Sequence, residues 1–92
     1  MSNTPDYLEI HDERINITLK KWLDVDGAQV KVLTMREPTV EDNLTMDAIK
    51  GSDAIKEINY FANLCQVSPE DIKKLTQRDY GRLQKAYQNF ID

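Results

Sequence analysis

Ninety-two residues with 40% hydrophobic and 30% charged side chains make one globular domain of modest core, carrying 16 acidic and 12 basic residues for a net charge of −4. The acidic balance argues against nonspecific binding to nucleic acid. The single cysteine, Cys65, excludes an internal disulfide and a cysteine-built metal site, and no apolar run approaches the roughly 20 residues that span a bilayer.

Residues 1–14 are polar and acidic. Asp6, Glu9, Asp12 and Glu13 outweigh Arg14, and Tyr7, Leu8 and Ile10 are the only sizeable apolar side chains. The segment reads as a mobile acidic arm outside the folded domain of residues 15–92. Its start has neither the positive stretch nor the apolar stretch of a signal peptide, so a reducing, cytoplasmic setting is expected.

Residues 15–36 read as a β-hairpin. Ile15, Ile17 and Leu19 alternate with Asn16, Thr18 and Lys20, the period of a half-buried strand. Asp26-Gly27 suits a type I′ turn. A two-residue loop there pairs Val25 with Ala28, Leu23 with Val30 and Lys21 with Val32, and sets Trp22 opposite Lys31 for a surface cation–π contact. A bulge would change these pairs.

The segment from Val32 to Asp42 then switches structure within eleven residues. Val32 to Met35 suits the end of a strand. Pro38 donates nothing to a ladder and holds Glu37 extended. Thr39 offers a helix cap, with Asp42 in the capping-box position. Arg36, Glu37, Pro38, Thr39 and Asp42 therefore form a strand-to-helix corner.

Residues 39–91 read as short helices. Val40, Leu44 and Ala48 recur at helical spacing, with Gly51 at the position just past the helix end. Ser52 caps a second helix with Ile55, Ile58, Ala62 and Cys65 in one stripe, widened by Phe61 and Leu64. Ser68-Pro69-Glu70-Asp71 starts a short third helix ending near Leu75. Thr76 with Asp79 caps a fourth, striped by Tyr80, Leu83, Tyr87 and Phe90 or Ile91. Gly81 disfavours that helix, and a close contact with a neighbouring element would explain it. The fold class is α+β: an N-terminal β-hairpin followed by a small bundle of three to four short α-helices.

Strand, Arg36-Glu37-Pro38-Thr39-Val40, then an acidic residue resembles the tail assembly chaperones of contractile-tailed, Mu-like and P2-like bacteriophages, whose hairpin ends in a Leu-Arg-Glu-Pro-Thr type motif before a helical half. The resemblance covers roughly residues 15–91. Met35 stands where Leu is usual, and Asn43 stands where the family often has Leu, so Leu44 is expected to supply that apolar anchor. The resemblance implies binding to the phage tape measure protein, whose long apolar helices would otherwise aggregate. It implies a homo-oligomer in the host bacterial cytoplasm that is absent from the mature virion. It also implies contact with the tail tube protein through a longer, frameshifted form, where one is made.

Catalytic signals are weak. His11 sits in the acidic arm with neither a fixed partner nor a pocket. Cys65 falls on an apolar stripe, which suits a core residue better than a nucleophile. Asp24, Asp26 and Gly27 fail as a calcium loop, because Trp22 and Leu33 would occupy ligand positions. No enzyme activity, cofactor or metal is expected. Lys73, Lys74, Arg78, Arg82 and Lys85, interleaved with Tyr80 and Tyr87, read as a solvated helix face diluted by Glu70, Asp71 and Asp79. A client-holding module needs apolar surface that accepts an amphipathic helix. The candidates are Phe61, Tyr80, Leu83, Tyr87 and Phe90, although for each of them a place in the domain's own core is the stronger reading, because a domain this small needs them. An adaptor or regulatory protein binding a host or phage partner, and a nucleic-acid-binding protein, are the competing functions.

Overall fold

The computed structural model describes residues 4–91, so positions 1–3 of the expected arm and Asp92 lie outside the described residues. The chain is α+β. Three antiparallel strands, β1 (Leu8–Ile10), β2 (Arg14–Val25) and β3 (Ala28–Arg36), form a sheet in the order β1-β2-β3. Four helices follow: α1 (Val40–Ala48), α2 (Asp53–Cys65), α3 (Pro69–Lys73) and α4 (Gln77–Phe90).

The hairpin gains a strand from the segment expected to be an arm. Leu8 pairs with Ile17 and is only 6% exposed. The Thr18 N–H donates to the Tyr7 carbonyl at 2.8 Å, and the Arg82 guanidinium lies 4.2 Å from the centre of the Tyr7 ring. One buried leucine and one ring are enough here, because the edge of β2 offers backbone partners that an isolated arm lacks. The folded domain therefore begins before Ile15, which corrects the expected boundary.

The turn forms as the Asp26-Gly27 pair predicts, with both φ angles positive at 53° and 84°. Val25 pairs with Ala28 and Leu23 with Val30. Beyond that point the expected register fails: Val32 pairs with Thr18 rather than Lys21. Leu19, Lys20, Lys21 and Trp22 lie across from Lys31 alone, a wide bulge in β2. The N–H groups of Lys20 and Lys21 within it are taken up from outside the sheet, by Asp79 of α4. Trp22 and Lys31 still meet, with the Lys31 Nζ 4.9 Å from the ring centre.

Ile15, Ile17, Leu19, Leu33 and Met35 are buried beneath the helices. The opposite side of the sheet is mostly polar, with Val32 exposed on it. Asn16 donates to Glu9 at 2.7 Å and accepts from Thr34 at 2.8 Å, a ladder across all three strands. α2 packs against β3 and α4 against β2, with α3 joining them. Phe61, Leu64, Ile72, Leu83 and Ala86 close the core from the helical side. Two local expectations change. α1 ends at Ala48 with Ile49 as its extended C-cap, so Gly51, at φ 134°, belongs to the connection instead. A Cβ at Gly81 would meet nothing within 4 Å, so no close contact requires that glycine.

Candidate docking site

The corner after β3 is held by one carboxylate. Thr39 caps α1 and accepts from the Asp42 N–H at 3.3 Å. Asp42 accepts in return from the Thr39 N–H at 2.8 Å, completing the capping box. The Arg36 guanidinium then grips both Asp42 oxygens, at 2.7 and 2.8 Å. This fork-on-carboxylate pairing is the strong form of an ion pair. It holds the Asp42 carboxyl far below the usual carboxylate range and raises Arg36, so both stay charged. Asn63 of α2 also donates to Asp42, at 3.3 Å. Glu37 extends the sheet by donating its N–H to the Glu13 carbonyl at 2.9 Å, while Pro38 carries the chain out of it.

These bonds orient α1. Asp42 faces inward and is buried, and Asn43 accepts from the Tyr60 hydroxyl of α2 at 3.0 Å. The polar side of α1 is thus its attached side. Val40 and Leu44 are 77% and 64% exposed, and Ala48 is exposed with them. Leu44 is therefore not the inward anchor expected of it. Met46, half-buried, is the apolar contact α1 makes with the core.

The five candidate binding residues divide. Phe61 and Leu83 are almost fully buried. Tyr80, Tyr87 and Phe90 are half-buried and pack against the core from α4. The backbones of α2 and α4 approach closely at few points, and aromatic rings bridge the space between them. Phe61 lies 5.7 Å from Tyr80 and 5.8 Å from Tyr87, and Tyr60 meets Tyr87 edge-on at 5.5 Å. Three open hollows surround this cluster. Met46, Tyr60 and Tyr87 line one of about 280 Å³. Phe61, Gln84 and Tyr87 line a second of about 320 Å³. Ile58, Ile72, Leu75 and Tyr80 line a third of about 350 Å³.

Glu57 borders all three hollows and accepts from the Tyr80 hydroxyl and, at 3.0 Å, from Gln84. Burial pushes the Tyr60 and Tyr80 hydroxyls well above their ordinary range, and the Glu57 carboxylate reinforces the effect on Tyr80. Both rings thus remain neutral donors. Sequence reasoning missed Glu57, Met46 and Tyr60. Tyr60 stands off the α2 stripe, and nothing in the local pattern marks Glu57 among the other acidic residues.

Chemistry finds little purchase elsewhere. His11 sits 3.0 Å from the exposed carboxylate of Glu9. Burial pushes the Cys65 thiol up to about 12. Among the described residues, no group of three or more His, Cys, Asp and Glu could hold a metal ion, and no helix is long and apolar enough to cross a membrane. The basic C-terminal face is partly occupied by the fold. Arg82 donates to the Thr18 carbonyl at 2.7 Å, Lys74 to the Asp24 carbonyl at 2.6 Å, and Lys73 pairs with Glu70 at 3.1 Å.

The described surface thus combines a carboxylate-locked corner, a helix turned apolar side out and an open aromatic cluster. No curated protein and no solved structure matches the chain. A family profile described as "phage tail assembly chaperone proteins, E, or 41 or 14" matches residues 16–92, which includes the whole corner and all four helices. The chain belongs to the phage tail assembly chaperone family.

Proposed function

We propose that this chain binds the tape measure protein of a contractile-tailed, Mu-like or P2-like phage and keeps it soluble while the tail is built. The observation that carries this reading is the aromatic cluster between α2 and α4, with its three adjoining hollows. An amphipathic helix presents apolar side chains every three or four residues. Tyr80, Tyr87 and Phe90 offer half-exposed anchors for them, with Phe61 and Leu83 as the floor beneath. The protein acts in the host cytoplasm, is left out of the finished virion and works as a homo-oligomer. An array of copies engages successive client helices at high effective concentration. A longer frameshifted form brings in the tail tube protein. The role is non-enzymatic and needs no cofactor.

The test is co-expression with the cognate tape measure protein. The client is expected in the soluble fraction, in a complex with this chain. A client equally soluble alone, with no complex recovered, would favour an adaptor role instead. Tyr87→Ser is expected to weaken the complex; because its ring also packs on Tyr60 and Phe61, the loss counts as lost binding only where circular dichroism shows the variant folded.

A further inference from the structure

The outward side of α1 is a second surface, which meets the aromatic cluster at the hollow that Asp47 borders. At about 100° per residue, Val40, Leu44 and Ala48 fall within an arc of roughly 80°. Glu41 borders that arc on one side and Asp47 on the other, both exposed. The opposite side is tied down through Asp42 and Asn43. The Arg36–Asp42 pair therefore keeps an apolar stripe with an acidic rim facing solvent.

We propose that this stripe docks one amphipathic helix of a partner protein, with lysine or arginine flanking its apolar residues. The proposal rests on the tape-measure reading only for the partner's name; the chemistry of the surface stands by itself. Charge complementarity selects the occupant. Lysines beside the partner's apolar stripe would face Glu41 and Asp47 at short range. A second copy of α1 fits poorly, because either orientation sets these acids against their counterparts. A longer partner helix gains more, since Asp47 continues into the hollow bordered by Met46, Asp53 and Glu57. Cations nearby include Arg36, engaged by Asp42, Lys56, at that hollow, and Lys50, two residues past the helix end in sequence.

The experiment uses the full chain and two labelled synthetic helices of about 18 residues, long enough to present a whole stripe. Both carry leucine stripes; one is flanked by lysine and the other by glutamate. Fluorescence anisotropy is expected to show binding of the lysine-flanked helix, weakened about tenfold or more by Val40→Ser with Leu44→Ser, at an unchanged denaturation midpoint. Arg36→Gln, which frees α1 to turn, is expected to weaken it as well. Absence of binding, equal binding of the two peptides, or full binding by the double variant overturns the proposal. So does a dimer that the double variant splits, since the occupant is then a second copy. Pull-down of the tape measure protein runs in parallel. Capture by the double variant as by the parent chain overturns the α1 surface and leaves the client reading standing. A parent chain that holds the lysine-flanked helix but not the tape measure protein supports the surface and removes the client.

Discussion

Thr39-Val40-Glu41-Asp42 opens α1 and Thr76-Gln77-Arg78-Asp79 opens α4, and each threonine accepts from the N–H of the aspartate three residues on. The two helices nevertheless turn opposite sides inward. In α4 the Asp79 carboxylate leaves its own cap and accepts from Lys20 N–H at 2.7 Å and Lys21 N–H at 3.1 Å, inside the β2 bulge. It is 1% exposed, and Leu83 and Ala86, four and seven residues on, are carried onto the sheet with it. In α1 the equivalent carboxylate folds back on its cap and pairs with Arg36, so the polar side is attached and the apolar side is free. A cap fixes where a helix begins. The partner found by its third residue decides which way it faces.

Asp79→Ala should produce the largest effect, since it strands two bulge N–H groups and removes the buried polar link from α4 to β2, leaving Arg82 on the Thr18 carbonyl. A loss of about 3 kcal/mol is expected by urea denaturation. An unchanged midpoint would mean that water serves those donors, and the contrast between the helices would collapse. Leu8→Ala comes next, at about 2 kcal/mol for a leucine buried at a sheet edge. It asks whether β1 belongs to the α4 side of the molecule, where Tyr7 meets Arg82. Fast amide exchange at Thr18 in the parent chain would return residues 4–10 to the status of an arm.

Asp42→Ala should cost less, about 1–2 kcal/mol, because Arg36 is partly solvated and water screens the pair. The loss should be local: exchange rises in α1 while the amides of Leu83 to Phe90 stay protected. Acid offers a finer probe. The folded-state pKa of Asp42 is depressed, so its contribution is complete above the unfolded value of about 3.9. It declines only as pH falls below that value toward the folded pKa. Asp42→Asn should flatten the stability curve below about pH 4 and leave its slope near neutrality alone. The smallest effect is a gain: Gly81→Ala should stabilise α4 by up to about 1 kcal/mol, since its Cβ points into open space. Destabilisation there would reveal a contact that α4 makes outside the chain.

Much of this architecture is legible residue by residue. Asp26-Gly27 specifies its turn because a type I′ hairpin turn needs positive φ at both central residues, which glycine reaches freely and aspartate tolerates. Ser52, Ser68 and the two threonines mark all four helix starts, because capping is a contact between near neighbours in the chain. The β2 bulge is not legible, because its cause lies on α4. β1 is hidden because its apolar content is low, and it depends on an edge supplied by another segment. The orientation of α1 is hidden for the same reason: Val40, Leu44 and Ala48 have the spacing of an inward stripe, and the Arg36 fork, with Tyr60 on Asn43 and Asn63 on Asp42, reverses it. Of the candidate anchors, the stripe on α4 is legible. Which of its members sit on the floor and which on the rim depends on the spacing between two helices, which the local pattern does not contain.

The bulge also bears on how distant parts of the chain are joined. Lys20 and Lys21 receive their acceptor from a residue 59 and 58 positions further along. The turn is a contact between chain neighbours, whereas the bulge behind it draws its acceptor from the last helix, so this one carboxylate joins the early and late parts of the chain.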